Sequence, residues 1–362
     1  MTHPVDKSLL LLTLSLLVGG LLVLLSASMV LSYKNFGFIA SYALRQSAAG
    51  GIVGVLLLWI CSRVPYRRWK KIALPLMLIS FALLALLFIP SLGSVYGGAH
   101  RWIKFGPLSF QPSELLKFAF IIYLASWLNS RRREVESVSH GMIPFAIMIV
   151  IVSIFLAMQP DVGTLGVILC TAGMMYFLGG GKISQIVTLT LFGLVLFYLL
   201  VQIAPYRLAR IAVFLDPARD PRGAGYQISQ ASIAIGSGGF WGLGFGKSLQ
   251  KYHYLPEPMG DSIFAIFAEE TGFLGAAILI ALFSALFLKG LAIARRAPDA
   301  FAKLLAAGIS TSIMAQAFIN MAAISGLLPL TGIPLPFISY GGTSLVVTMA
   351  SIGVLLNISR YT

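Results

Sequence analysis

Apolar runs of about 20 residues alternate with short polar interruptions along the whole chain, and a run of that length is what a helix needs to cross a bilayer. The runs fall at Leu9–Leu31, Ala43–Cys61, Ile72–Ile89, Glu114–Leu128, Met142–Met158, Val162–Leu178, Ile183–Ile203, Ser262–Leu288, Leu304–Leu328 and Phe337–Ile358. The pattern predicts an all-α, polytopic membrane protein of ten transmembrane helices. The first run resembles a cleavable leader, with Ser26-Ala27-Ser28 as a weak processing site. It is longer than the apolar part of such leaders and further spans follow, so it is expected to be the first span.

Two interruptions are long, about 90–112 and 204–260, and the second separates helices 7 and 8. A long loop in a compact chain is usually functional or disordered. Ile228, Ile233, Ile235, Phe240 and Trp241 argue against disorder and predict amphipathic pieces lying on the membrane face. No repeat and no soluble domain interrupts residues 1–362, which read as one integral membrane unit.

Composition supports the same class. Charged residues are 10% of the chain and apolar ones 58%, against about 25% charged in soluble domains. Mean hydropathy is +0.90. Lys and Arg number 26 against 12 Asp and Glu. In a membrane chain that excess anchors loops against anionic lipid and does not call for nucleic acid. Lys7, the cluster from Arg63 to Lys71, Arg131 to Arg133, Lys182, the cluster from Lys289 to Lys303, and Arg360 all fall on one side of the ten spans. That side is the cytoplasm by the positive-inside rule, so both termini are expected there. Cys61 and Cys170 have no metal or redox spacing, and a disulfide between them is not expected.

Asp261 stands where the polar loop ending Leu255-Pro256-Glu257-Pro258-Met259-Gly260 meets an apolar run. An aspartate there is a good N-cap. It is equally a carboxylate at the outer membrane surface, where ionisable groups tend to be functional. Glu269 and Glu270 lie roughly 12–14 Å deeper at 1.5 Å per residue and are expected to be structural anchors between helices. Gln111-Pro112-Ser113-Glu114 is a helix start, because proline and an acidic residue suit the first turn. Glu114 and Lys117 share a face three residues apart; they are either a local ion pair or a polar wall of the cavity holding Asp261. Arg101 and Trp102 suit either phosphate binding or anchoring at the interface. Asp161, in Gln159-Pro160-Asp161, is expected to cap the next helix. The segment from Gly332 to Ser344 resists regular helix and marks either another cavity wall or a tight helix contact. Gly246-Lys247-Ser248 resembles a nucleotide phosphate loop, but Trp241 stands where that pattern needs glycine, so no nucleotide is expected.

Taken together, these segments resemble the SEDS family of shape, elongation, division and sporulation proteins. The motifs are GAHRWI at Gly98–Ile103, QPSE at Gln111–Glu114 with Lys117, QPDVGT at Gln159–Thr164, GAGYQ at Gly223–Gln227, LPEP before Asp261, EETGF at Glu269–Phe273 and PLPFISYGGTS at Pro334–Ser344. They run in order along nearly the whole chain. Met259, Gly260 and Ser262 depart from the family's usual residues around the aspartate. The resemblance is strongest to the branch serving cell division, with the elongation branch as the alternative.

The resemblance implies a peptidoglycan glycosyltransferase of the bacterial cytoplasmic membrane at the division site. Such an enzyme joins lipid II into glycan strands on the outer face and releases undecaprenyl pyrophosphate. The rival is a lipid II flippase. The resemblance places the catalytic role on Asp261, as general base or as ligand of a divalent cation (Mg2+ or Mn2+). Arg101, Trp102, Glu114, Lys117 and Ser344 would bind substrate. The implied partners are lipid II, undecaprenyl-linked glycan, a class B penicillin-binding protein acting as septal transpeptidase, and other divisome proteins.

Overall fold

The computed structural model describes residues 4–89, 93–96, 99–105, 108–203 and 212–362. Each predicted apolar run is helical: α1 (Lys7–Phe36), α2 (Ser41–Arg63), α3 (Tyr66–Leu86), α4 (Pro112–Ser130), α5 (Val138–Met158), α6 (Val162–Leu178), α7 (Ile183–Ile203), α9 (Ile263–Arg296), α10 (Ala300–Ile324) and α11 (Gly342–Ile358). A further helix, α8 (Ala224–Ser237), lies in the long loop. Among the described residues seven helices are long and apolar enough to cross a membrane: α1, α2, α3, α5, α9, α10 and α11. α6 and the part of α7 from Ile183 to Val195 are shorter apolar helices, and α4 opens on the charged Glu114 and Lys117.

α10 and α11 form the centre, with 78% and 83% of their apolar stretches buried, against 22% for α3 and α5. Their composition explains this. α10 reads AFAKLLAAGISTSIMAQAFINMAAI, and such small residues let neighbouring backbones approach closely. The N-terminus and the C-terminal helix meet at one end of the bundle, where the Asp6 amide donates to Ser359 Oγ (3.1 Å) and Asp6 pairs with Lys289 (3.1 Å).

The expectation of an all-α chain needs correction. Gly93–Tyr96 (β1), Ala99–Phe105 (β2) and Leu108–Phe110 (β3) form an antiparallel three-stranded sheet in order β1-β2-β3. The short stretches AHRWIKF and LSF are rich in the β-branched and aromatic residues that favour strands, and they are too short for helices. The last helix also starts at Gly342, later than the predicted Phe337. The backbone from Gly332 to Gly341 stays irregular, with Phe337 at φ 66°.

The long loop also differs from expectation; its first residues, 204–211, lie outside the described set. α8 does not lie across the end of α9 but runs along it. Gln227 near its start bonds Ser262 Oγ (2.9 Å), and Gly238 at its end abuts Ala268 and Glu269. The chain then turns back towards Asp261. This descent meets a break in α9 at Gly272 (φ 66°, ψ −166°), a conformation that glycine adopts at no steric cost. The Phe273 and Leu274 amides, diverted from their own helix, donate to the Gly239 and Phe240 carbonyls (2.9 and 3.2 Å). The Leu243 and Gly244 amides in turn donate to the Glu269 and Glu270 carbonyls (both 3.0 Å). The returning loop thus satisfies the groups that the break leaves open, which is the condition for broken helices at membrane depth.

Candidate functional site

Asp261 sits in the turn before α9 and is half-buried. The N-cap of α9 is Ser262, so the capping role expected of Asp261 is not realised. Its carboxylate Oδ1 instead accepts from Gln227 Nε2 (3.3 Å), and its carbonyl accepts from Asn320 Nδ2 (2.9 Å). Asn320 Nδ2 also donates to the Ile333 carbonyl (2.8 Å). α10 therefore ties the Asp261 turn to the irregular segment before α11. A second tie runs from Ser339 Oγ to the Gly260 carbonyl (2.7 Å), and a third from the Tyr340 amide to the Met259 carbonyl (2.8 Å).

Arg101 approaches the same place from β2. A Cβ placed on Gly332 would lie 3.9 Å from Arg101 Nη1 and 4.0 Å from Asp261 Oδ2, so the guanidinium and the carboxylate both border this glycine. Arg101 is fixed from behind: Nε donates to the Gln159 carbonyl (3.1 Å) and Nη2 to the Pro160 carbonyl. Asp161, next in that turn, accepts from the Thr164 amide (3.2 Å) as cap of α6 and from Ser113 Oγ (3.1 Å). Its role is to hold the turn that holds Arg101. Trp102 is half-buried and sits opposite Ser94 in the sheet.

Glu114 and Lys117 pair at 2.8 Å and are almost fully buried. Lys117 also donates to Gln316 Oε1, and Gln316 Nε2 donates to the Pro334 carbonyl (2.9 Å). The ion pair is thus continuous with the same irregular segment. Together with Ser312, Thr348 and Ser351 these side chains line a small cavity between α4, α10 and α11. Ser344 is buried in the first turn of α11, and its hydroxyl has no hydrogen-bond partner among the described residues. Neighbouring Thr343 bonds the Ser109 carbonyl (3.1 Å), fixing β3 to α11.

Glu269 and Glu270 face away from this group. Glu269 accepts from Ser248 Oγ and from the Leu249 amide (3.0 Å). Glu270 pairs with the fully buried Lys251 (2.9 Å) and accepts from Ser26 Oγ of α1 (2.6 Å). They anchor the returning loop to α9 and α1.

The structure therefore brings Asp261 and Arg101 together and links Glu114 and Lys117 to them through Gln316 and the 332–341 backbone. It adds Gln227, Gln316, Asn320, Ser339 and Gln46 (Nε2 to the Ser339 carbonyl, 3.3 Å; Oε1 from the Gly341 amide, 3.2 Å). Gln316 and Asn320 were detectable in principle, as polar residues four apart within a buried helix. Among the described residues no three His, Cys, Asp or Glu side chains converge as a metal site.

Residues 7–362 match the family model FTSW_RODA_SPOVE, described as "Cell cycle protein". The chain is 42% identical over 360 residues to Stage V sporulation protein E of Bacillus subtilis, covering 99% of this chain and 98% of that one. It is 38% identical over 356 residues to the probable peptidoglycan glycosyltransferase FtsW of Geobacter sulfurreducens, covering 98% and 95%. Among solved structures it superposes on a chain from work on the structural coordination of polymerization and crosslinking by a peptidoglycan synthase complex (TM-score 0.80, 28% identity, 99% of both chains). It also superposes on the rod shape determining protein RodA of Thermus thermophilus (TM-score 0.72, 28% identity, 99% and 98%).

Proposed function

Since this chain belongs to the FtsW/RodA/SpoVE family of multi-pass membrane proteins and is a peptidoglycan glycosyltransferase, we propose that Asp261 is its catalytic residue and that lipid II is its substrate. The observation that carries this is that the half-buried Asp261 carboxylate and the Arg101 guanidinium both border Gly332. A carboxylate and a cation held a few ångströms apart suit a reaction in which a hydroxyl loses a proton while a pyrophosphate departs.

Asp261 Oδ2 takes the proton from the acceptor sugar's 4-hydroxyl. The deprotonated 4-hydroxyl oxygen of the acceptor bonds to the anomeric carbon of the donor, and the carbon–oxygen bond to the pyrophosphate breaks with inversion. Undecaprenyl pyrophosphate leaves with the bonding electron pair. A positioned base contributes about 10²–10⁴-fold. Arg101, fixed through two carbonyls, keeps Nη1 directed at the site, where it stabilises the departing negative charge. Gln227 orients the carboxylate, and Asn320 fixes the turn that carries it.

A divalent cation fits one part of this donor set. Mg2+ is commonly bound through one or two carboxylates plus substrate phosphates, and here Asp261 would be the protein's ligand to Mg2+ or Mn2+. Bound there, the ion would neutralise pyrophosphate charge. Trp102, Glu114, Lys117 and Ser344 complete the proposed substrate region, with Glu114 and Lys117 acting through Gln316 on the Pro334 backbone.

The proposed topology is ten spans with both termini cytoplasmic, which puts the Asp261 end outside the bacterial cytoplasmic membrane. The proposed setting is septal wall synthesis with a class B penicillin-binding protein and other divisome proteins; elongation and sporulation are the other roles the relatives carry. The test is gel analysis of lipid II products from wild type and Asp261→Asn, each with and without the transpeptidase. Polymer from wild type and none from a folded Asp261→Asn is expected. Lipid II crossing liposome bilayers without polymer would replace the enzyme reading with a flippase.

A further inference from the structure

Arg45, near the start of α2, is exposed and has no carboxylate partner among the described residues. Its guanidinium lies over the Phe36 ring, 4.1 Å from the centroid. Phe36 packs edge-on against Tyr42 (5.4 Å between centroids), and Tyr42 packs edge-on against Tyr340 (5.3 Å). A guanidinium stacked on a ring keeps the hydrogen-bonding edge of its fork open. Arg101, by contrast, already spends two of its donor positions on carbonyls.

The aromatic trio is tied to the catalytic segment by short links. The Tyr340 amide bonds the Met259 carbonyl, two residues before Asp261. Gln46, adjacent to Arg45, holds the Ser339 carbonyl and the Gly341 amide, and Ser339 holds Gly260. Arg45 is therefore placed by the same network that places Asp261. Tyr33 and Phe38, at the end of α1 and in the turn leading to α2, are exposed, the kind of aromatic belt found where a bilayer meets water. A prenyl-linked pyrophosphate sits at that depth, with its chain in the lipid and its charge at the boundary.

We propose that Arg45 binds the pyrophosphate of a prenyl-pyrophosphate lipid and so positions it beside Asp261. The identity of that lipid as substrate or product rests on the glycosyltransferase reading; the anion contact itself does not. Arg45 is a second cation for a doubly charged headgroup, while Arg101 is the one nearest the carboxylate.

The experiment uses the full chain in nanodiscs, as wild type, Arg45→Ala and Arg45→Lys, with binding of undecaprenyl pyrophosphate and of undecaprenol measured for each. Arg45→Ala is expected to weaken pyrophosphate-lipid binding about tenfold or more, as loss of a charge-assisted hydrogen bond would. Arg45→Lys should recover part of it, and undecaprenol should bind all three alike. In polymerisation assays the half-saturating lipid II concentration should rise by a similar factor while kcat stays within about threefold. Equal pyrophosphate-lipid binding by all three proteins would make Arg45 an interface anchor and overturn the proposal. Equal losses for both lipids would overturn it as well, in favour of apolar packing. A wild type that binds the pyrophosphate lipid but makes no polymer would sink the enzyme reading and leave the Arg45 contact standing.

Discussion

Asn320 shows what one uncharged side chain does in this protein. Its amide nitrogen joins the Asp261 carbonyl to the Ile333 carbonyl, so two irregular segments share one donor deep in α10. Without it the Asp261 turn keeps Gln227 and the Ser339–Gly260 bond, so the chain is expected to fold. The carboxylate loses part of its support, and a shift of about 1 Å at a reacting group can cost about 10²-fold. Asn320→Ala is expected to lower kcat for lipid II polymerisation by about 10- to 100-fold with little change in half-saturating substrate; initial rates across a substrate series measure it. An equal fall in thermal stability and in the amount of folded protein would instead make Asn320 purely structural. Asp261 was legible in the sequence because a carboxylate beside hydrocarbon is costly and stands out. Asn320 and Gln316 left only the fainter signal of two amides four apart in a small-residue helix, and the backbone carbonyls they bond, which no sequence pattern names, hid what they do.

At the scale of elements, apolar run length placed the seven helices that are long and apolar enough to cross a membrane, because the requirement to pair backbone groups in lipid leaves helix as the default. What it missed is where the chain departs from that default. The three strands are too short to register as periodicity. The descent of α8 along α9 depends on the break at Gly272, and a single glycine within EETGF gives no sign of which segment will satisfy the opened carbonyls. The Lys251–Glu270 pair locks that junction. Both residues are buried, and Glu270 also receives Ser26. Removing only the lysine leaves a buried carboxylate uncompensated, which costs about 3–5 kcal/mol, whereas neutral replacement of both partners of a buried pair is often tolerated. Lys251→Met is therefore expected to lower the melting temperature sharply, and Lys251→Met with Glu270→Gln to recover most of the loss, read by fluorescence-detected melting in detergent. A double variant as unstable as the single one would show that the loop is held by its backbone exchange with α9 and not by the ion pair.

On the scale of the whole molecule, the bundle has two chemically different ends. Asp6, Ser359, Lys289, Tyr66 and Asp299 meet at one: Tyr66 Oη donates to Asp299 Oδ2 (2.7 Å), and Lys289 pairs with Asp6. Asp261, Arg101, the sheet and the 332–341 segment meet at the other. The basic residues of the short loops crowd the first end, so the positive-inside rule predicts that Asp261 lies outside. The mechanism depends on this, because a strand-forming enzyme must meet its acceptor where the wall is built. Cys61 and Cys170 are the only cysteines, so replacing both with serine gives a background for single-cysteine labelling. In intact spheroplasts a membrane-impermeant maleimide is expected to label Arg219→Cys and Arg222→Cys, both exposed on the Asp261 side of the long loop. It should label Arg132→Cys and Arg296→Cys only after permeabilisation. The reverse pattern would put the Asp261–Arg101 pair against the cytoplasm, where no glycan strand is being built, and the proposed reaction could not take place there.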